Sequence, residues 1–182
     1  MSETKPRIDY IRVRWEIDER PDTSYLETQL SEDGKTIISS CRYEQDELDK
    51  HPIRTRRYIR EDMERLDKFN SGELCAYGCI AEAEVSYPVN NRGDRRIERF
   101  TSGGLWGIES DSGHPYRESV ANDELEDLKG HLEMFNIEPI RRMWVNGDYW
   151  EDIKKDAINR MDNSGSKTDF INSPWVKVEV HY

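Results

Sequence analysis

The chain has 182 residues, with 27 lysines and arginines against 38 aspartates and glutamates and a formal net charge of −11. This acid excess disfavours nonspecific binding to nucleic acid or to anionic membranes and favours a partner with a basic surface. The length suits one domain, which we expect over residues 1–182. No signal peptide and no apolar run of roughly 18 residues is evident, so the sequence predicts a cytoplasmic protein without a membrane span.

The first third of the chain predicts a strand, an irregular stretch and a helix. From Ile8 to Asp18 the odd positions are apolar and the even positions are mostly charged, which is typical of a half-buried strand. We expect residues 22–52 to be the least regular region. From Arg56 to Phe69 apolar residues recur at helical spacing, and a stop that contains glycine follows.

The middle of the chain predicts a hairpin around a long strand from Leu74 to Tyr87. Its odd positions are apolar throughout, whereas its even positions turn polar at Glu82 and Glu84. We therefore expect the first half to be covered on both faces and the second half to be wet on one face. A turn-rich link leads to a returning strand over Arg95–Thr101, and the glycine-rich segment after it is expected in or beside the sheet, with a bulge.

The last third predicts two helices and two strands. Asn122 or Asp123 is a suitable N-cap for a helix with a leucine stripe, and acids in its first turn would suit the helix dipole. A short strand over Arg141–Val145, a helix over Asp148–Met161 and a terminal strand over Trp175–Tyr182 follow. This order lacks regular α/β alternation, so the sequence predicts the α+β class: a largely antiparallel sheet with about three helices packed on it.

One candidate ligand site combines Glu82 and Glu84 with the paired glycines Gly103 and Gly104. Two carboxylates about 7 Å apart on one side of a strand can perform acid–base chemistry or hold a metal, and paired glycines let a phosphate approach the backbone. A solvated strand face and a bulge against an indole explain the same residues equally well. Phosphate-loop, dinucleotide and zinc motifs are not found, so no catalytic residue, metal or cofactor is predicted.

Two basic clusters with interleaved aromatic residues form a second alternative, a module for nucleic acid. Arginine mixed with aromatic side chains is typical of proteins that bind single strands. The net charge of −11 makes pairing with the abundant acids the simpler explanation. The clusters are His51, Arg54, Arg56, Arg57 and Arg60 with Tyr58, and Arg92, Arg95, Arg96 and Arg99 with Phe100.

An acidic stretch after the glycine-rich segment, interrupted mainly by Arg117, predicts a surface for a basic partner. Carboxylates of such a stretch complement a groove that binds nucleic acid, and aromatic residues supply anchors. The predicted partner-binding residues are Trp106, Glu109, Asp111, Tyr116, Glu118, Asp123, Glu124, Glu126 and Asp127.

Three segments resemble a group of small acidic proteins from bacteriophages, plasmids and bacterial mobile elements. They are "PDTSYL" at Pro21–Leu26, "RYIREDMERLDKFNSGELCAYGCIAEAEV" at Arg57–Val85, and Ser102–Phe135, which opens "SGGLWGIESDSG" and continues into "DELEDLKGHLEMF". The resemblance implies a role in genetic conflict but no defined activity. The expected function is therefore stoichiometric binding and inhibition of a host or defence protein, such as a CRISPR or restriction component.

Overall fold

The computed structural model describes residues 6–90, 92–135, 137, 148–162 and 176–177. The predicted class is confirmed, because antiparallel strands are combined with three longer helices. The chain divides into two compact units. The first contains Met1–Ile17, Tyr77–Ile108 and Ser112–Tyr182, and the second contains Asp18–Ala76 and Glu109–Asp111. The single domain of residues 1–182 stays a prediction.

The helices and strands are numbered here in chain order. They are β1 (Arg7–Ile17), β2 (Thr28–Leu30), β3 (Ile37–Ser40), α1 (Gln45–Lys50), α2 (Pro52–Asn70), β4 (Ala76–Pro88), β5 (Arg95–Thr101), β6 (Leu105–Glu109), α3 (His114–Met134), α4 (Asp148–Asp162) and β7 (Val176–Lys177).

The first unit is built on an antiparallel sheet in the order β5-β4-β1-β7, with β6 also paired to β4. β4 is the central strand, as its two-sided apolar pattern predicts. It pairs with β1, where Trp15 lies opposite Cys79, and with β5, where Phe100 lies opposite Ala83. The returning strand is confirmed at its predicted bounds.

The sheet has an inner face, which carries Trp15, Cys79 and Ala83, and an outer face, which carries Arg12 and Glu82. α3 and α4 pack on the inner face, where the leucines of α3 and the small side chains of β4 belong to one core. The core residues are Ile8, Ile11, Val13, Trp15, Cys79, Ala81, Ala83, Val85, Ile108, Val120, Ala121, Leu125, Leu128, Leu132, Ile137, Trp150, Ile153, Ala157 and Ile158.

The second unit contains more regular structure between residues 22 and 52 than the sequence predicts. β2 and β3 form an antiparallel pair, and α1 follows it. The Gln45 side chain accepts a hydrogen bond from the Ile37 backbone at 2.8 Å and donates one to the Lys35 carbonyl at 2.9 Å. Strands of three and four residues are too short to show a hydrophobic period, which is why the pattern missed them.

Two helices begin earlier than predicted, and in each a proline lies in the first turn. α2 begins at Pro52 instead of Arg56, and α3 begins at His114 instead of after Asn122. Proline is tolerated there because its missing N–H has no partner within the first turn. The predicted N-caps at Asn122 and Asp123 are therefore wrong, and both residues lie inside α3.

The end of the chain is described in part. The helix predicted from Asp148 is confirmed as α4, which extends to Asp162. The strand expected over Arg141–Val145 lies outside the described residues, and of Trp175–Tyr182 only β7 is described, paired with β1. Within the described ranges, no helix has both the length and the apolar composition that crossing a membrane requires.

Candidate functional site

Glu82 lies on the outer face and is held by two arginines of β1. Arg12 donates to one carboxylate oxygen at 2.7 Å and Arg14 donates to the other at 2.6 Å, and only 7% of the Glu82 side chain is exposed. Burial raises the pKa of Glu82, but the hydrogen bonds from Arg14 and Arg12 outweigh it and hold the pKa below its usual range. The wet face predicted here is wrong, since the long arginine side chains cover the carboxylate.

Glu84, the second carboxylate of the predicted ligand site, is paired with Arg99 of β5. The Nε–Oε1 distance is 3.0 Å, and the Arg99 side chain is 63% exposed. A metal or substrate at Glu82 and Glu84 would have to displace arginines from both. The described part of the chain contains no group of three or more His, Cys, Asp or Glu side chains arranged to hold a metal ion.

The indole of Trp106 lies flat on the outer face over Gly78. A Cβ at Gly78 would lie 2.5 to 2.7 Å from three atoms of the indole ring, so any larger residue would displace the ring. Ile108, two residues along β6, is buried in the core on the inner face. The two side chains point to opposite faces because Gly107, with φ of 78°, interrupts the alternation as a bulge does. Trp106 nevertheless remains 46% exposed.

Gly103 and Gly104 donate their backbone N–H groups to carboxylates of α3. Gly103 donates to Asp127 at 2.8 Å, and Gly104 donates to Glu124 at 3.0 Å. The paired glycines therefore fasten the connection between β5 and β6 to α3. The sequence placed the glycine-rich segment in or beside the sheet, and β6 confirms this.

The first two acids of the predicted interface belong to an ion cluster in the second unit. Arg65 pairs with Glu109 and also with Asp111, the latter at 2.6 Å, and Tyr25 donates to Glu109 at 2.5 Å. Burial and the hydrogen bond to Glu109 raise the pKa of Tyr25 to about 12. The sequence missed Tyr25 and Arg65, because their spacing from Glu109 carries no periodic signal.

A second cluster of this unit, centred on Asp62, was also missed. Arg42 donates to its two oxygens at 3.0 and 2.9 Å, and the Tyr43 hydroxyl donates at 2.7 Å. Burial and this bond raise the pKa of Tyr43 to about 12. The available signal was that Asp62 follows the buried Ile59 by three positions on a helix, which places a carboxylate on the buried side.

Three of the acids predicted on α3 accept hydrogen bonds inside the first unit, namely Asp127, which accepts from Gly103, and Glu124 and Glu126. Glu124 is buried against Gly104. Glu126 accepts hydrogen bonds from Lys129 at 2.7 Å, Lys154 at 2.8 Å and the Trp150 indole at 3.0 Å. Burial raises the pKa of Glu126, but these three donors outweigh it and lower the pKa to about 2. Glu126 thereby joins α3 to α4.

Tyr116, Asp123 and Asp127 lie on the side of α3 that points away from the core. Their spacing of seven and eleven residues repeats the helical period, and all three are exposed. Glu126 and Glu133 flank them, and we call these five residues the acidic face of α3. Asp123 has no ion pair or hydrogen bond of its side chain among the described residues.

The remaining predicted residues lie elsewhere. Glu118 is 3.8 Å from His114 on the first turns of α3. Trp106 is on the outer face of the sheet, whereas α3 packs on the inner face. A flat partner surface on the acidic face of α3 therefore does not reach Trp106, and the predicted interface divides into separate parts.

The residues of the two basic clusters lie on different elements of the structure, α2 and β5. Arg57 of α2 lies over the Tyr58 ring at 5.1 Å and 3.5 Å from Glu61. Arg95 and Arg99 of β5 lie on the outer face with the arginines of β1, since they pair directly with Pro88 and Glu84, which are outward positions of β4. The pairing with acids that the sequence favours is thus seen for members of both clusters.

The pKa of Glu126 predicts an acid-sensitive connection between α3 and α4. A carboxylate whose pKa falls on folding stabilises the native state above its unfolded value, near 4.5, and this stabilisation disappears as pH falls towards 2. Because the side chain is 43% exposed, solvent screening limits the effect to about 1 kcal/mol. In thermal unfolding, Glu126→Gln should be less stable than the parent chain at pH 7 and equally stable near pH 2.

Glu133→Gln is the matched control, because Glu133 is exposed on the same helix. The free energy of unfolding of Glu133→Gln should stay close to that of the parent chain at every pH. A deficit of Glu126→Gln that persists unchanged at the lowest pH would contradict the assignment to carboxylate ionisation.

The resemblance to proteins of bacteriophages, plasmids and mobile elements stays a prediction. Comparison of the chain with protein-family models, with curated proteins and with solved structures finds no match.

Proposed function

We propose that the chain is an accessory protein of a mobile element that binds and inhibits a host or defence protein stoichiometrically in the cytoplasm. The proposed partner has a basic, nucleic-acid-binding groove, as CRISPR and restriction proteins do. The observation that carries the proposal is the acidic face of α3.

The position of these acids in the helix argues for an external partner. Like charges four residues apart, such as Asp123 and Asp127, destabilise a helix by a few tenths of a kcal/mol. Carboxylates are stabilised by the helix dipole only in the first turn. Because α3 begins at His114, both residues lie well beyond that turn. Asp127 is compensated by the hydrogen bond from the Gly103 backbone, so the residue that helix energetics disfavour and that supports a role in binding is Asp123.

The dimensions of the face suit a groove for duplex DNA. Tyr116 and Met134 are exposed at its two ends, about 27 Å apart at 1.5 Å per residue. This length corresponds to about eight base pairs at 3.4 Å each. Asp123 and Asp127 lie between them, so aromatic and apolar anchors flank two exposed carboxylates.

The enzyme alternative has less support. Glu82, Glu84, Gly103 and Gly104 are each occupied by a partner within the first unit. Stabilisation of the chain by divalent metals or nucleotides in a thermal-shift assay, lost in Glu84→Gln, would favour it.

Neutralising the exposed acids tests the proposal. We expect Asp123→Asn, Asp127→Asn and Glu133→Gln, combined in one chain, to weaken partner binding at least about tenfold, or 1.4 kcal/mol. The full chain is used to capture its partner from the bacterial host, and the purified pair is then titrated. Inhibition by the parent chain should saturate at a fixed stoichiometric ratio.

The control carries the same charge change on α2. Glu61→Gln, Glu64→Gln and Asp67→Asn replace three exposed acids of a helix of similar length. Partner binding should survive these changes. Equal loss in both variants would mean that total charge and not this face determines binding, and retention by both would exclude the face.

A further inference from the structure

Trp106 is fixed in place but only half covered. Its ring lies against Gly78, its Nε1 lies 3.1 Å from where a Cβ of Gly104 would be, and the bulge at Gly107 turns it away from the core. An indole usually contributes by burial, and this one keeps 46% of its surface exposed. A ring held in one orientation loses little conformational entropy when a planar group stacks on it.

Arginines from both neighbours of β4 lie on the outer face beyond this indole. Arg14 and Arg12 of β1 lie opposite Ile80 and Glu82 on one side of β4, and Arg99 and Arg95 of β5 lie opposite Glu84 and Pro88 on its other side. Arg14 and Arg12 are about 6.6 Å apart at 3.3 Å per residue. Consecutive phosphates of an extended single strand have a similar spacing.

These four arginines outnumber the carboxylates Glu16, Glu82 and Glu84 of the same face despite the net charge of the chain. Glu82 and Glu84 have 7% and 17% of their side chains exposed, Arg12 and Arg14 have 20% each, and Arg99 has 63%. Glu16 adds one exposed carboxylate beside Arg14. The acids of α3 project from beyond the inner face, and exposed charges farther apart than about 10 Å are largely screened at 0.1 M salt.

We propose that the outer face of the sheet binds a short single-stranded nucleic acid. One base stacks on Trp106, Arg14 and Arg12 contact neighbouring phosphates from β1, and the more exposed Arg99 contacts a phosphate from β5. Tyr10 is exposed opposite Glu84 and offers a second stacking position, about 20 Å from Gly78 at 3.3 Å per residue. An acidic peptide would satisfy the arginines but would leave both aromatic rings unused.

This surface is separate from the acidic face of α3, so the two proposals stand or fall independently. The outer face combines Arg95 and Arg99, which belong to one of the two basic clusters, with Arg12 and Arg14 of β1, which belong to neither. The cluster on α2 plays no part in it.

Fluorescence anisotropy of labelled oligonucleotides tests the proposal on the full chain. We expect saturable binding of single-stranded oligomers, with a log–log salt slope of about −2 for three phosphate contacts. Trp106→Ala should weaken binding about 5- to 150-fold, the equivalent of one stacked base, while Trp106→Phe retains most of it. Arg99→Gln should weaken binding and reduce the slope by about 0.7.

Arg57→Gln is the matched control, since it removes an exposed arginine of α2. It should leave affinity and slope unchanged. Circular dichroism verifies the fold of each variant, and Arg99→Gln supplies the decision if Trp106→Ala is unfolded. The proposal is overturned if no oligomer binds at low salt, if Arg57→Gln weakens binding as much as Arg99→Gln, or if a polyglutamate of equal length binds as tightly.

Discussion

Glu82→Gln is expected to destabilise the first unit by about 3 kcal/mol, because it removes the carboxylate that two partly buried arginines share, although Arg14 keeps Glu16 as a partner. The glutamine keeps one oxygen acceptor but presents its amide N–H₂ group to the second guanidinium. Arg12 and Arg14 would then face each other across residue 82, whose glutamate side chain is only 7% exposed. Urea unfolding followed by circular dichroism and tryptophan fluorescence measures the loss.

Glu84→Gln is a close control for this change. Glu84 is on the same strand and the same face, but its partner Arg99 is largely exposed. Exposed ion pairs contribute about 0–1 kcal/mol, so this variant should unfold close to the parent chain. If Glu82→Gln lowers the free energy of unfolding no more than Glu84→Gln does, the Glu82 carboxylate is not what stabilises the arginines of the outer face.

Gly78→Val is expected to cost about 1–3 kcal/mol, because the new side chain occupies the space of the Trp106 ring. A Cβ alone would lie 2.5 Å from an indole carbon, and valine adds two further carbons. The ring must leave the sheet, and the packing between the indole and the backbone is lost. Trp106 emission should shift to longer wavelength, and the midpoint of chemical unfolding should fall.

A double-mutant cycle with Trp106→Ala isolates the cause. In that background the space over Gly78 is empty, and valine is a favourable residue for a strand. Gly78→Val should then be nearly neutral or stabilising. A penalty of equal size in both backgrounds would mean that the strand itself, and not the indole, requires glycine at this position.

The long strands were predictable because each repeats a two-residue period over many positions. The alternation in β1, the two-sided apolar pattern of β4 and the bounds of β5 all agree with the structure. The start of α3 was not predictable from the leucine stripe alone. Its first turns, from His114, carry exposed polar residues that resemble a loop until Pro115 is placed inside the first turn.

The sites were less predictable than the strands, because they depend on contacts between residues distant in the sequence. Arg12 and Glu82 are separated by 70 positions, and only the register of β1 against β4 brings them together. Trp106 and Ile108 are two positions apart on a strand, which predicts that their side chains lie on the same face of the sheet. The positive φ of Gly107 between them places the two side chains on opposite faces. One backbone angle therefore decides whether the indole belongs to the core or to a surface.

Gly107 also affects the edge of the sheet that β5 and β6 form. Among the described residues, β5 and β6 pair with β4 and have no strand on their other side. An open edge of this kind is a template for fibril growth unless it is irregular or charged. The kink at Gly107 and the arginines of β5 provide both protections, so this edge should resist self-association when the chain accumulates at high concentration.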